Sequence, residues 1–177
     1  MKRIILVGYM GAGKTTVGRQ LALNLGMQFY DLDWYIEMRY HTTVAKLFEQ
    51  RGEAGFRELE RNMLHEVAEF DDVVLSCGGG TPCFFDNMDY MNGQAETVYL
   101  KARPEVLAQH LKMGKVVRPL ILGKTDDELL QYIKDSLEVR EPFYQKAKHT
   151  LDVSLLDNYE KIKISVRLLK RTLGIEG

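Results

Sequence analysis

The stretch Gly8-Tyr9-Met10-Gly11-Ala12-Gly13-Lys14-Thr15 constrains this chain more than any other. It follows the apolar run Ile4-Ile5-Leu6-Val7 and opens into Thr16-Val17-Gly18-Arg19-Gln20-Leu21-Ala22. That is strand, glycine loop, helix, with the spacing G-x-x-x-x-G-K-T of a nucleotide-binding P-loop. The glycines let the backbone curl so that several N–H groups point inward at phosphate oxygens. The helix N-terminus adds its partial positive charge. A nucleoside triphosphate is the expected ligand, seated by Gly11, Ala12, Gly13, Lys14, Thr15 and Thr16 of the loop 8–16. Lys14 is expected to reach the β- and γ-phosphates, and the Thr15 hydroxyl to hold Mg²⁺.

The 177 residues suit one α/β domain with a sizeable core. A net charge of −1 supplies no global basic field for nucleic acid or membrane, so anionic substrates must meet a few locally placed cations. No apolar run approaches the ~20 residues needed to span a bilayer, and the N-terminus leads straight into a strand. A cytoplasmic protein is expected. Cys77 and Cys83 are too few for a disulfide scaffold, and neither they nor the four His residues have metal-ligand spacing.

Strand-like runs appear at Ile4–Val7, Phe29–Asp31, Val73–Ser76, Thr97–Leu100 and Thr150–Val153, with helical patterns between them. One helix carries Phe56, Leu59, Met63, Leu64 and Val67 on one face. Another carries Leu129, Leu130, Ile133, Leu137 and Tyr144, and opens with the capping box Thr125-x-x-Glu128. Alternating strands and helices predict a parallel sheet covered on both faces, with catalytic groups at the carboxyl ends of the strands.

Five further segments carry candidate chemistry. Asp31 and Asp33 end the second strand, where alternation puts both carboxylates on one side. One can hold a metal through its waters while the other orients or deprotonates an acceptor hydroxyl; alternatively Asp33 caps the next helix. Trp34, next along, either walls the acceptor site or packs in the core. In the helix that begins at Gly52-Glu53, Arg57, Glu60 and Arg61 share a face. Arg57 can fork onto a substrate carboxylate while Glu60 fixes its rotamer, or the face is simply solvated. Gly78-Gly79-Gly80 follows the third strand and permits a ligand to press against backbone N–H groups, where a plain turn is the alternative. Arg118 stands in the glycine-bounded, cation-carrying segment 113–124, which reads as a lid bringing charge to a transferring phosphoryl group. Arg140 is a further anion clamp, or an exposed helical Arg.

Taken together these motifs resemble the shikimate kinases over nearly the whole chain. The elements Gly8–Thr16, Asp31/Asp33, Gly52-Glu53-x-x-Phe56-Arg57, Gly78-Gly79-Gly80, Arg118-Pro119-Leu120 and Arg140 stand in that family's order. The resemblance implies one kinase domain over 1–177, with a three-layer α/β/α fold and a five-stranded parallel sheet of the nucleoside-monophosphate-kinase type. A substrate-binding helical region would span about 33–61, and a mobile lid about 113–124. It implies transfer of the ATP γ-phosphoryl group to the 3-hydroxyl of shikimate, with Mg²⁺, in a monomeric enzyme of the route to aromatic amino acids. By motif position, Asp33 meets the ring hydroxyls, Arg57 and Arg140 clamp the carboxylate, and the backbone of Gly79 and Gly80 closes around the ring. Lys14 and Arg118 then stabilise phosphoryl charge, and Thr15 with Asp31 places Mg²⁺. The chain departs from the family at the adenine contacts, where His110-Leu111-Lys112 and the Pro-free segment 152–157 replace an Arg and a Pro.

Two rivals come from other readings of the same motifs. A gluconate-type kinase also phosphorylates a polyhydroxy carboxylate, but the triple glycine with Arg57 and Arg140 favours a cyclic acid. A nucleotide switch would show an Asn-Lys-x-Asp motif, which is absent, and a non-catalytic regulator should have lost Lys14, Asp33 or a clamp.

Overall fold

The computed structural model describes residues 2–114, 119–154 and 159–175. Five strands, β1 (Arg3–Val7), β2 (Gln28–Asp31), β3 (Val73–Ser76), β4 (Glu96–Lys101) and β5 (His149–Asp152), form one parallel sheet in the order β2-β3-β1-β4-β5. The register runs through the centre of the sheet, Ile5 pairing with Leu75 on one side and Thr97 on the other. All four residues of β3 and the last four of β1 are buried. Successive strand residues point to opposite faces, so both faces must be covered. Helices supply that cover, giving the three-layer α/β/α arrangement predicted from the alternation of elements.

The helices are α1 (Lys14–Leu25), α2 (Leu32–Tyr40), α3 (Val44–Val67), α4 (Asn87–Gln94), α5 (Pro104–Met113), α6 (Asp126–Tyr144) and α7 (Tyr159–Thr172). α1 packs against β1, β2 and β3 and also meets α7. The capping box at Thr125 and Glu128 forms as predicted at the start of α6. Phe56, Leu59, Met63, Leu64 and Val67 of α3 are all buried, as are Leu129, Ile133, Leu137 and Tyr144 of α6, while Leu130 sits at the margin. At Gly52 the backbone of α3 breaks (φ 69°, ψ 176°), so a new helical stretch starts where the Gly-Glu pair predicted one. β5 begins one residue earlier than expected.

A shared consequence places the chemistry. β1, β2 and β3 run parallel, so Gly8, Asp31 and Cys77 leave the sheet on the same edge. The P-loop, the acidic pair and the triple glycine therefore meet at the carboxyl ends of the strands. Among the described residues no helix is long and apolar enough to cross a membrane.

Candidate active site

The site is a cleft of about 450 Å³ at that edge, lined by the P-loop, Asp31, Asp33, Gly78 and Gly79. Gly13 caps α1 in the left-handed region (φ 87°), a conformation that side chains disfavour, and offers no side-chain cap. The first turn of α1 also holds no acidic residue. Its N–H groups and dipole are left to an anion in the cleft. Lys14 is buried, and its ammonium donates to the carbonyls of Gly8 (2.7 Å) and Tyr9 (3.0 Å). The Ala12 side chain is buried in the core, so only its backbone can address a ligand.

Asp31 and Asp33 are neighbours, but not through strand alternation. β2 stops at Asp31 and Asp33 lies in the first turn of α2. The helix cap is Asp31 rather than Asp33: its Oδ1 accepts from the backbone N–H of Trp34 at 3.2 Å. The reason is register, since an N-cap side chain serves the N–H three residues on. The other oxygen, Oδ2, accepts from the Thr15 hydroxyl at 3.2 Å. Asp33 is thereby released from structural duty and faces the cleft beside Gly78. Burial pushes its pKa up to about 6, and Asp31 and Glu60 push the same way against the pull of Lys14. A carboxylate so placed can exchange a proton near neutral pH.

Arg57 is buried on α3, with Nη1 donating to Glu60 at 2.9 Å. Glu60 accepts from the Thr81 hydroxyl at 2.9 Å through its second oxygen. The guanidinium carbon stands 4.2 Å from the centre of the Phe84 ring, with Phe48 and Phe56 further out at 5.5 Å. Its Nε is buried without a hydrogen-bond acceptor among the described residues. A guanidinium with donor capacity left over, walled by aromatic rings, is suited to an anion. Arg61, on the same face one turn on, turns outward to Asp86 at 3.2 Å and takes no part.

Arg140 reaches the same loop from α6. A Cβ built on Gly79 would lie 3.2 Å from Arg140 Nη1, and one on Gly80 would lie 2.6 Å from Arg57 Nη2. Gly80 has an ordinary helical φ of −88°, so what demands glycine there is closeness rather than backbone conformation. Two guanidiniums thus rest on adjacent glycines.

Further residues complete the cleft. His110 of α5 carries Nδ1 at 2.8 Å from the Gly11 carbonyl; a carbonyl only accepts, so Nδ1 holds the proton. His110, Met113 and Ile162 line the nucleotide end of the cleft. Ile162 comes from the last helix, and only tertiary packing could reveal it. Trp34 neither walls the cleft nor enters the core; it is 53% exposed, with the Arg19 guanidinium 4.6 Å from its ring centre. Both cysteines are free thiols, and burial pushes the Cys77 thiol far up, which keeps it inert. Arg118 lies outside the described residues.

Thr15 and Asp31 give two hard oxygen donors side by side, next to the phosphate seat. That set fits Mg²⁺, which takes few protein ligands and completes its shell with phosphate and water.

Comparison with known proteins agrees across the chain. The family model for shikimate kinase matches residues 10–169. A shikimate kinase from Phocaeicola vulgatus is 55% identical over 174 residues, covering 98% of this chain and 99% of its own. The crystal structure of shikimate kinase from Bacteroides thetaiotaomicron superposes with a TM-score of 0.96 at 54% identity, covering 98% of both chains. Shikimate kinase from Acinetobacter baumannii, in complex with shikimate, superposes at 0.85 with 34% identity, covering 98% of this chain and 94% of that one.

Proposed function

We infer the roles of the cleft residues from one premise: the chain belongs to the shikimate kinase family. It is an ATP-dependent phosphotransferase acting on shikimate, and this sets aside the gluconate-type kinase and the non-catalytic regulator. The observation that carries the residue assignment is the pair of guanidiniums, Arg57 and Arg140, resting on the adjacent glycines Gly80 and Gly79 beside the P-loop. An acceptor with a carboxylate at one end and hydroxyls at the other has one favourable orientation in such a field.

The carboxylate lies against Arg57 and Arg140, each contributing on the order of 1.5–3 kcal/mol through charge-assisted hydrogen bonds. The ring then sits over Gly79 and Gly80 with its hydroxyls toward Asp33 and Lys14. Asp33, whose pKa is about 6, accepts the proton of the attacking 3-hydroxyl or holds that hydroxyl in line. The triphosphate rests on the N–H groups of Gly11, Ala12, Gly13, Lys14, Thr15 and Thr16. Lys14 leaves the carbonyls of Gly8 and Tyr9 to stabilise charge on the γ-phosphoryl group. Arg118 adds charge from the lid about 113–124. Thr15 and Asp31 would hold Mg²⁺, which neutralises developing phosphate charge when bound. The enzyme acts as a monomeric kinase domain over 1–177 in the cytoplasm.

The test is ADP release from Mg-ATP with shikimate, with gluconate and with no acceptor, in one coupled assay. Turnover with shikimate alone supports the assignment. Equal turnover with gluconate would mean that the two arginines do not select a cyclic acid.

A further inference from the structure

We propose that Tyr144 is the positioning residue of the acceptor clamp, its hydroxyl fixing the Gly79 carbonyl in the loop on which the Arg140 guanidinium rests. The inference rests on the reading of Arg57 and Arg140 as carboxylate ligands and adds a residue to it. Tyr144 ends α6 four residues after Arg140, which brings both onto one face of the helix. The side chain is completely buried. Its hydroxyl donates to the Gly79 carbonyl, and the Arg140 guanidinium lies against the same glycine, Nη1 standing 3.2 Å from where a Cβ on Gly79 would be. The direction is forced: a carbonyl can only accept, so the phenolic proton points at Gly79. Burial also raises the ionisation of this phenol, which keeps that proton in place.

The consequence reaches both arginines. The Gly79–Gly80 peptide is trans, so fixing the Gly79 carbonyl toward Tyr144 turns the Gly80 N–H the opposite way. It also fixes where Gly80 lies against the Arg57 guanidinium. The rest of the loop is fastened elsewhere: Thr81 by Glu60 through its hydroxyl and by Asn87 through its carbonyl. Tyr144 is held in turn by the Tyr99 ring, 5.2 Å away, whose hydroxyl reaches Glu141. The ring of Tyr144 packs; its oxygen sets the spacing between the clamp and the loop.

Tyr144→Phe keeps the ring and removes only that oxygen. Steady-state KM values for shikimate and for ATP, kcat and the melting temperature should be measured for Tyr144→Phe, Arg140→Ala and the double variant. Tyr144→Phe should raise KM for shikimate about tenfold, leave KM for ATP unchanged, and cost much less in the Arg140→Ala background. Its penalty should also vanish with shikimate methyl ester, which lacks the charge the clamp reads. Shikimate binding lost in Arg140→Ala but intact in Tyr144→Phe would overturn the proposal and leave Tyr144 a packing residue. Equal increases in both KM values would overturn it too, as general loosening. Unchanged shikimate KM in both single variants would remove the clamp itself, and the proposal with it.

Discussion

Arg57 donates through Nη1 to Glu60 at 2.9 Å, and Glu60 accepts from Thr81 through its other oxygen at the same distance. A single buried carboxylate therefore ties the guanidinium to the loop that follows the triple glycine. The cost of immobilising Arg57 is met in the folded protein before any ligand arrives, which is preorganisation for binding.

Arg57→Ala should raise KM for shikimate by roughly tenfold to over a hundredfold, with kcat much less affected. The substrate carboxylate keeps its charge throughout the reaction, so the contact is equally strong in ground and transition states. Initial rates across shikimate concentrations decide the matter. A normal KM with a depressed kcat would contradict the clamp.

Asp33 predicts opposite changes in activity and stability. Its folded pKa of about 6 lies above the ordinary 3.8, so the folded state binds the proton more tightly than the unfolded chain. Asp33 therefore costs nothing at low pH, and destabilises the fold increasingly as pH rises between about 4 and 6. Asp33→Asn should raise the melting temperature at pH 8, by a stability gain on the order of 2 kcal/mol, while lowering kcat about 10²-fold or more. Wild-type kcat/KM should fall as pH drops through about 6. A variant that loses stability at pH 8 yet turns over normally would make Asp33 a structural residue.

Gly80→Ala isolates closeness from backbone strain. The added methyl would meet the Arg57 guanidinium, which Glu60 holds, at 2.6–3.0 Å, with φ already suitable for alanine. The fold should survive and Arg57 should swing aside. A lowered melting temperature, as Arg57 is pushed off the buried Glu60, with a shikimate KM raised at least about tenfold in the folded protein is the expected pair of results. Unaltered shikimate kinetics would show that Arg57 tolerates displacement.

Thr15→Ala removes one of the two oxygen donors offered to Mg²⁺ and leaves Asp31 Oδ2 without its hydroxyl partner. Half-maximal activity should then require several-fold more Mg²⁺, roughly tenfold if one full interaction is lost. A magnesium titration at saturating ATP and shikimate measures this, and an unchanged midpoint would remove Thr15 from the metal site.

Most of the fold was legible because its signals are local. Buried parallel strands read as apolar runs, and the box at Thr125 and Glu128 fixed where α6 starts. Lys14 and Thr15 were singled out by P-loop spacing, and Arg57 and Arg140 by their place in the family's order of motifs; the structure puts the last two guanidiniums against Gly80 and Gly79. The acidic pair was misread in detail because β2 is short: the chain turns helical at Leu32, so a strand rule was applied to a helix. Its capping duty fell to Asp31, which no periodicity distinguishes from Asp33. Tyr144 looked like one more apolar position on α6, and nothing local shows that its oxygen meets Gly79. Phe84 and Ile162 reach the site through packing between elements far apart in sequence, which a single chain read linearly cannot display.

The most direct test identifies the product. Wild-type protein and Lys14→Met are each incubated with Mg-ATP and shikimate, and phosphorus NMR follows the phosphate species. The account predicts ADP and a new phosphomonoester coupled to the ring proton at C3, formed by the wild type and absent with Lys14→Met. ADP with only inorganic phosphate, or a monoester on a different hydroxyl, would contradict the placement of Asp33, Lys14 and the arginine clamp around shikimate.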